Sequence, residues 1–225
     1  MQPILLKNVK IAVEVGSKTN MIKEFLNPDR FTLGLGRLAA KISPRPNVWT
    51  VISFIPAILG IVFVALENIL WGLIMFVLAG LMDSIDGAVA RSQNRTTHFG
   101  AFLDGTVDRF VDFLLIFSFL FLDLPEFFMP VSWWVVIAAY FALMPTFIVA
   151  YANHRQTVPD PTEKVIWRIL HRTEMYPLFA LALLFAMFSL DWAMYIFVFT
   201  AVFSVITTFQ TVYLTAKKSK NYPQS

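Results

Sequence analysis

Six long apolar stretches divide the chain into predicted helices. An α-helix needs about 20 residues to cross a hydrocarbon core of about 30 Å. The stretches are Val48 to Leu66, Ile69 to Met82, Phe110 to Leu122, Val131 to Ala152, Tyr176 to Leu190 and Ala193 to Ala216. The second and third are short, and they reach full length only if the second helix continues to Arg91 and the third begins near Gly100. The pattern predicts an all-α integral membrane protein with six transmembrane helices in one bundle.

Before the first span, residues 21–42 interleave apolar side chains with basic ones. This pattern is typical of an amphipathic helix lying in the membrane interface, and a solvated helix packed on the protein itself fits equally well. Residues 1–20 lack the continuous apolar region of a signal peptide. We expect a cytoplasmic N-terminal segment at 1–46 that carries the interfacial helix, a six-span domain at 47–216 and a cytoplasmic tail at 217–225.

The composition agrees with a membrane protein. Apolar residues make up 57% of the chain and charged residues 15%, whereas soluble domains have roughly 45–50% and about 25%. The absence of Cys excludes disulfides, thiolate metal sites and a thiol nucleophile. A net charge of +3 gives no reason to expect a nucleic-acid partner.

The basic residues predict the orientation in the bilayer. All 18 Lys and Arg residues fall in segments that six spans place on one side of the membrane. The connections on the other side contain Glu67, Asp123, Glu126 and Asp191 and no basic residue. By the positive-inside rule, both termini lie in the cytoplasm of a multi-pass protein of the cytoplasmic membrane.

Five aspartates lie at the predicted cytoplasmic ends of the second and third spans, where ionisable side chains are costly and usually functional. Asp83 and Asp86 are three residues apart, and Asp104 and Asp108 are four apart, so each pair shares one helix face. Two facing pairs make a cage of four carboxylates. Asp112 lies four residues after Asp108 on the same helix face. We expect Asp112 to orient Arg109 or another basic residue and not to bind a metal.

A cage of carboxylates is unstable without compensating positive charge, because neighbouring carboxylates repel one another. Hard divalent cations prefer oxygen ligands, so we expect two Mg²⁺ or Mn²⁺ ions. Two such ions suit a displacement at phosphorus on a diphosphate substrate. The small residues Gly87, Ala90 and Gly100 leave room for a bulky ligand, although close helix packing explains them as well.

Residues 83–108 read DSIDGAVARSQNRTTHFGAFLDGTVD, which resembles the motif D-x2-D-G-x2-A-R-x8-G-x3-D-x3-D of the CDP-alcohol phosphotransferase family. All eight fixed positions match. The segment from Pro46 to Thr50 is similar to the P-N-x-x-T opening of the family's first span, and the six predicted spans match its architecture. The resemblance covers most of the chain.

The resemblance implies transfer of a phosphate-linked group from a CDP-activated lipid donor to a small polar alcohol, with release of CMP in phospholipid biosynthesis. It assigns two divalent metals to Asp83, Asp86, Asp104 and Asp108, with Asp108 as the base. It assigns contacts with the cytidine diphosphate to Asn47, Thr50, Asp83, Gly87, Ala90, Arg91 and Gly100. Arg91 shares a helix face with Asp83 and Gly87 at steps of four, which suits a phosphate contact.

The acceptor is predicted from the connection after the fourth span. Basic residues cluster there on the side of the metals, namely Arg155, Lys164, Arg168 and Arg172, and a phosphorylated acceptor needs such a set. A charged surface at an anionic leaflet is the alternative. The stretches around Tyr151 and Glu174 resemble the branch of the family that transfers to inositol phosphate, although the chain differs from it at Asn153, Thr157, His171 and Met175.

We therefore expect inositol phosphate as the acceptor and Arg155, Arg168 and Arg172 as the residues that bind it. Glycerol phosphate and serine are alternative acceptors, and a homodimer is left open. A cation or proton transporter that uses the aspartates as a relay is a hypothesis of another class. The transporter hypothesis does not explain why Gly87, Ala90 and Gly100 stand at the spacing of the family motif. A third hypothesis is a non-catalytic membrane scaffold with a decayed motif, and the eight intact motif positions argue against it.

Overall fold

The computed structural model describes residues 45–92, 97–157 and 172–220, and all regular structure in these ranges is helical. The helices are α1 (Pro46–Ala65), α2 (Ile69–Ser92), α3 (His98–Ser118), α4 (Val131–His154), α5 (Arg172–Phe185) and α6 (Leu190–Ser219), with a 3₁₀ turn at Phe119–Phe121. Three of them, over Asn47–Ala65, Val131–His154 and Leu190–Ser219, are long and apolar enough to cross a membrane. Shorter apolar runs cover Ile69–Asp83 and Glu174–Phe185.

The predicted extensions of the second and third helices are confirmed, since α2 continues through Arg91 and α3 begins at His98. The predicted boundary between the last two helices was wrong. Leu190 begins α6 and does not end α5, because the Ser189 side chain accepts a hydrogen bond from the Trp192 backbone N–H and caps the new helix. The predicted interfacial helix lies outside the described residues.

Helices α1 and α2 form a tightly packed hairpin. The connection ends α1 with a Schellman arrangement, in which Glu67 has a φ of 61° and the Asn68 N–H donates to the Phe63 carbonyl over 2.8 Å. A Cβ on Gly72 would overlap the Val64 side chain. The two backbones therefore approach closely, as small residues allow in membrane helices.

The main core draws buried side chains from all six helices, including Val64 of α1 and Phe76 of α2. Phe119 stacks on Phe197 of α6 with ring centroids 4.4 Å apart, and Phe179 of α5 lies against the same ring at 5.5 Å. A smaller cluster of Ala57, Ala79, Val107 and Val111 joins α1, α2 and α3. Together the two cores fix the ends of α2 and α3 that carry the aspartates.

Candidate metal centre and active site

Three of the predicted aspartates meet between α2 and α3. Asp83, Asp104 and Asp108 each offer one carboxylate oxygen, and these three oxygens lie within 4.8 Å of one another. Asp104 and Asp108 share a face of α3 because they are one turn apart. Asp108 is buried, with 9% of its surface exposed, and the other two are partly buried.

The electrostatics of this cluster favour a bound cation. Two carboxylates 4.8 Å apart repel by about 3 kcal/mol at the effective dielectric constant of a partly solvated site. A divalent ion between them turns this repulsion into attraction, and oxygen donors suit Mg²⁺ or Mn²⁺. The three carboxylates therefore form a group that could hold a metal ion.

The remaining motif positions of α2 are described by their backbone only. Asp86 follows Asp83 by one turn, and Gly87, Ala90 and Arg91 continue the same helix to its end. The surroundings of these four residues lie outside what the structure describes, so their predicted contacts stay predictions.

The start of α3 lies beside the start of α1. The Thr97 hydroxyl accepts a hydrogen bond from the Gly100 N–H over 2.9 Å and caps α3. A Cβ on Gly100 would lie 3.0 Å from this hydroxyl and 3.3 Å from Oδ1 of Asn47. Thr50, one turn further along α1, is buried with 3% of its surface exposed. The structure thus brings Asn47 next to the motif glycine, and it explains that glycine by the close approach of two side chains.

An apolar groove of about 490 Å³ lies between α2 and α5, and Asp83 forms part of its wall. The other residues along it are Leu73, Val77, Gly80, Leu81, Tyr176, Pro177, Ala180, Leu181 and Leu184. Asp83 therefore belongs both to the carboxylate cluster and to an apolar groove. This groove was not predictable from the sequence, because the apolar pattern of each helix does not specify its neighbour.

Tyr176 of α5 holds the two walls of the groove together. Its hydroxyl donates a hydrogen bond of 2.7 Å to the Phe76 carbonyl of α2. Its ring lies against Gly80, where an added Cβ would be 3.1 Å from Cε1 of the tyrosine. Tyr176 and Gly80 were not singled out in the sequence, where they stand as ordinary members of apolar stretches.

The described residues of the predicted acceptor set lie at the end of α4. Arg155 is the C-cap residue, and Gln156 follows with a φ of 52°. The Arg155 Nε donates to the Tyr151 hydroxyl over 3.1 Å, and its guanidinium carbon lies 5.5 Å from the centre of the Tyr151 ring. Arg172 begins α5 and its side chain is not described, while Arg168 lies outside the described residues.

The expectation for Asp112 agrees with the structure. Its Oδ2 accepts a hydrogen bond from Nη1 of Arg109 over 3.4 Å. Asp112 is absent from the carboxylate group that could hold a metal among the described residues.

The comparisons with known proteins agree with the motif. A family model described as CDP-alcohol phosphatidyltransferase matches residues 44–210. An uncharacterized protein of Aquifex aeolicus is 34% identical over 79% of this chain and 85% of its own length. The bifunctional IPC transferase and DIPP synthase of the same organism is 28% identical over 82% of this chain, which spans only 43% of that protein's length. Archaetidylinositol phosphate synthase of Pyrococcus horikoshii is 32% identical over 37% of this chain and 45% of its own.

Solved structures share the fold. The crystal structure of Mycobacterium tuberculosis phosphatidylinositol phosphate synthase with CDP-DAG bound superposes with a TM-score of 0.72 at 21% identity, over 87% of this chain and 98% of that one. The same enzyme in complex with manganese and citrate gives a TM-score of 0.70 at 21% identity, over 86% of this chain and 93% of that one. At this identity the likeness is one of fold.

Proposed function

Because the chain belongs to the CDP-alcohol phosphatidyltransferase family and is therefore a membrane phosphotransferase, we propose that it transfers a phosphatidyl or archaetidyl group from a CDP-linked lipid to inositol phosphate and releases CMP. One observation carries the proposal: Asp83 lies in the carboxylate cluster and also in the wall of an apolar groove. A donor that joins a diphosphate to lipid chains needs a metal-binding carboxylate cluster for the diphosphate directly beside an apolar groove for the chains.

The groove between α2 and α5 is the proposed site for the apolar part of the donor. Its lining is almost entirely hydrocarbon, with Asp83 as its charged member. The diphosphate then lies at the carboxylates, and the cytidine extends towards Asn47, Thr50, Gly87, Ala90, Arg91 and Gly100. The proximity of Asn47 to Gly100 supports a nucleotide site shared by α1 and α3.

The proposed metal ligands are Asp83, Asp86, Asp104 and Asp108. Three of them already lie close enough together to share a cation, and the fourth is one turn from Asp83 on α2. When bound, two Mg²⁺ or Mn²⁺ ions supply positive charge for the diphosphate and for the charge that develops at phosphorus. The manganese complex of the mycobacterial enzyme supports this assignment.

Asp108 is the proposed base. The Asp108 carboxylate accepts the proton of the acceptor hydroxyl while the hydroxyl oxygen forms a bond to the phosphorus that carries the lipid. The bond from that phosphorus to the oxygen of CMP breaks, and CMP leaves with the electron pair. The burial of Asp108 keeps this proton transfer away from bulk water.

Arg155, with Arg168 and Arg172, is the proposed binding site for the phosphate of the acceptor. Tyr151 holds the Arg155 guanidinium by a hydrogen bond and by its ring face, so less entropy is lost when a phosphate binds. Relatives named archaetidylinositol phosphate synthase and phosphatidylinositol phosphate synthase support inositol phosphate. Glycerol phosphate and serine remain the alternative acceptors.

The proposed setting is a six-span domain at 47–216 in the cytoplasmic membrane, after a cytoplasmic segment at 1–46 and before a tail at 217–225. The one-sided distribution of the 18 basic residues supports a cytoplasmic active site and two cytoplasmic termini. A homodimer is compatible with this arrangement.

The test is a transfer assay with purified protein. CDP-diacylglycerol or CDP-archaeol is supplied with inositol phosphate, glycerol phosphate, serine or inositol, and CMP and the lipid product are measured. We expect CMP and a lipid product with inositol phosphate. A lipid product formed only with serine would identify serine, and not inositol phosphate, as the acceptor. The absence of CMP with every pair of donor and acceptor would refute the proposed transfer.

A further inference from the structure

Arg109 of α3 connects the carboxylate cluster to a different helix. Its Nη2 donates a hydrogen bond of 2.9 Å to the Thr146 hydroxyl of α4. Its Nη1 lies 3.4 Å from Oδ2 of Asp112 and 3.9 Å from Oδ2 of Asp108. The guanidinium is thus bonded to two groups and lies just beyond hydrogen-bond distance of the proposed base.

Thr146, which accepts this hydrogen bond, lies at a point where α4 contacts α6. It follows Pro145, which has no N–H to donate to the Phe141 carbonyl one turn earlier in α4. The Thr208 hydroxyl of α6 is 3.1 Å from that carbonyl and 2.9 Å from the Ser204 carbonyl of its own helix. Because a hydroxyl has one hydrogen, Thr208 shares it between these two carbonyls. The interrupted turn of α4, next to Thr146, is thus in direct contact with α6.

The distances indicate what the two contacts prevent. A guanidinium released from Thr146 would need to move by only about 1.1 Å to hydrogen-bond Asp108, because the present distance of 3.9 Å compares with about 2.8 Å for a charge-assisted bond. Such a bond would draw the Asp108 carboxylate towards Arg109 and compete with a cation for its negative charge. Held in place, the same positive charge orients the Asp108 carboxylate without bonding to it.

We propose that Arg109 is a positioning residue, which Thr146 and Asp112 hold beside Asp108, near enough to orient this carboxylate and too far away to compete with a cation for it. The inference rests on the metal centre of the proposed function. This role differs from simple neutralisation of the carboxylate charge by Arg109, for which the position of the guanidinium would not matter.

The experiment measures direct Mn²⁺ binding to the purified full-length protein in nanodiscs, from the electron paramagnetic resonance signal of free Mn²⁺. Thr146→Val removes the anchoring hydroxyl and nearly preserves the shape. We expect the Mn²⁺ dissociation constant to rise about tenfold, the lower end of the effect of losing a residue that orients a ligand. Asp112→Asn removes the negative charge that attracts the guanidinium and leaves one acceptor oxygen, and we expect a change in the same direction.

The decisive variant is Arg109→Gln in the Thr146→Val background. Removing a positive charge beside the carboxylates favours a cation in any background, so Arg109→Gln is also measured alone. If the released guanidinium competes with the cation, the substitution raises Mn²⁺ affinity several-fold more in the Thr146→Val background than in the wild type. Thr200→Val is the matched control, because the Thr200 hydroxyl donates only within α6, to the Ile196 carbonyl over 2.8 Å. We expect this control to bind Mn²⁺ like the wild type.

Two results would overturn this inference without affecting the metal centre: wild-type Mn²⁺ affinity in Thr146→Val, or an Arg109→Gln substitution that changes Mn²⁺ affinity equally in both backgrounds. An absence of Mn²⁺ binding by the wild type would contradict the metal centre, and the inference would fail with it. Because binding is measured without substrate, failure of the transfer reaction leaves the test intact.

Discussion

The substitution Gly80→Ala tests the proposed donor groove at its narrowest contact. The new Cβ would lie 3.1 Å from Cε1 of Tyr176, so the ring must move by a few tenths of an ångström. The Tyr176 hydroxyl is bonded to the Phe76 carbonyl and its ring lines the groove, so displacement of the ring changes the shape of the groove. Alanine is otherwise favourable within a helix by about 0.5–1 kcal/mol, so a loss of function would not reflect a weaker α2.

The expected magnitude follows from the volume that the ring removes. If the displaced ring excludes one or two methylene groups of the lipid chain, donor binding weakens by about 0.8–1.6 kcal/mol. This corresponds to a rise in the donor KM of about four- to fifteenfold, with the acceptor KM unchanged. The assay is CMP release at fixed acceptor and varied CDP-lipid in mixed micelles.

Two controls isolate the groove. Leu78→Ala changes an exposed position of α2 outside the groove and should leave the donor KM unchanged. A CDP-lipid with very short chains should bind Gly80→Ala and the wild type equally. An unchanged KM for the long-chain donor in Gly80→Ala, with the protein folded, would refute the assignment of this groove to the lipid.

Three further predictions concern the base, the acceptor and the topology. Asp108→Asn should lower the single-turnover rate constant of CMP release by about 10²–10⁴-fold, and retention of the wild-type rate constant would exclude Asp108 as the base. Tyr151→Phe removes the hydrogen bond to Arg155 and keeps the ring, so the KM for inositol phosphate should rise about two- to fivefold; an unchanged KM would separate this pair from the acceptor. In this chain without native cysteines, a cysteine at Glu126 should react with an impermeant reagent from outside the cell and one at Lys218 only after permeabilisation, and labelling of both from one side would contradict the six-span topology.

The local geometry of the site was predictable because it depends on the spacing within single helices. Asp104 and Asp108 are one turn apart, which places them on one face of any α-helix. The apolar run that ends at Met82 is too short for a span, and this shortfall correctly predicted that α2 continues past Asp83. The meeting of Asp83 with the α3 pair needed the family motif in addition.

The contacts between helices were not predictable from the pattern. Tyr176 and Phe76 are 100 residues apart, and Arg109 and Thr146 are 37 apart. Hydrophobic periodicity indicates which face of a helix is buried, but it does not specify which helix covers that face. The boundary at Leu190 was missed for a local reason, since the capping residue Ser189 lies inside an almost continuous apolar stretch.

In the proposed function, the carboxylates of α2 and α3 hold divalent cations for transfer from a CDP-linked lipid. This is tested by CMP release from CDP-lipid and the active acceptor by the purified protein, first with excess chelator and then after Mg²⁺ or Mn²⁺ is returned. We expect chelation to abolish CMP release, the added ion to restore it in the wild type, and Asp104→Asn to remain inactive with either ion. Undiminished CMP release in excess chelator would contradict the account.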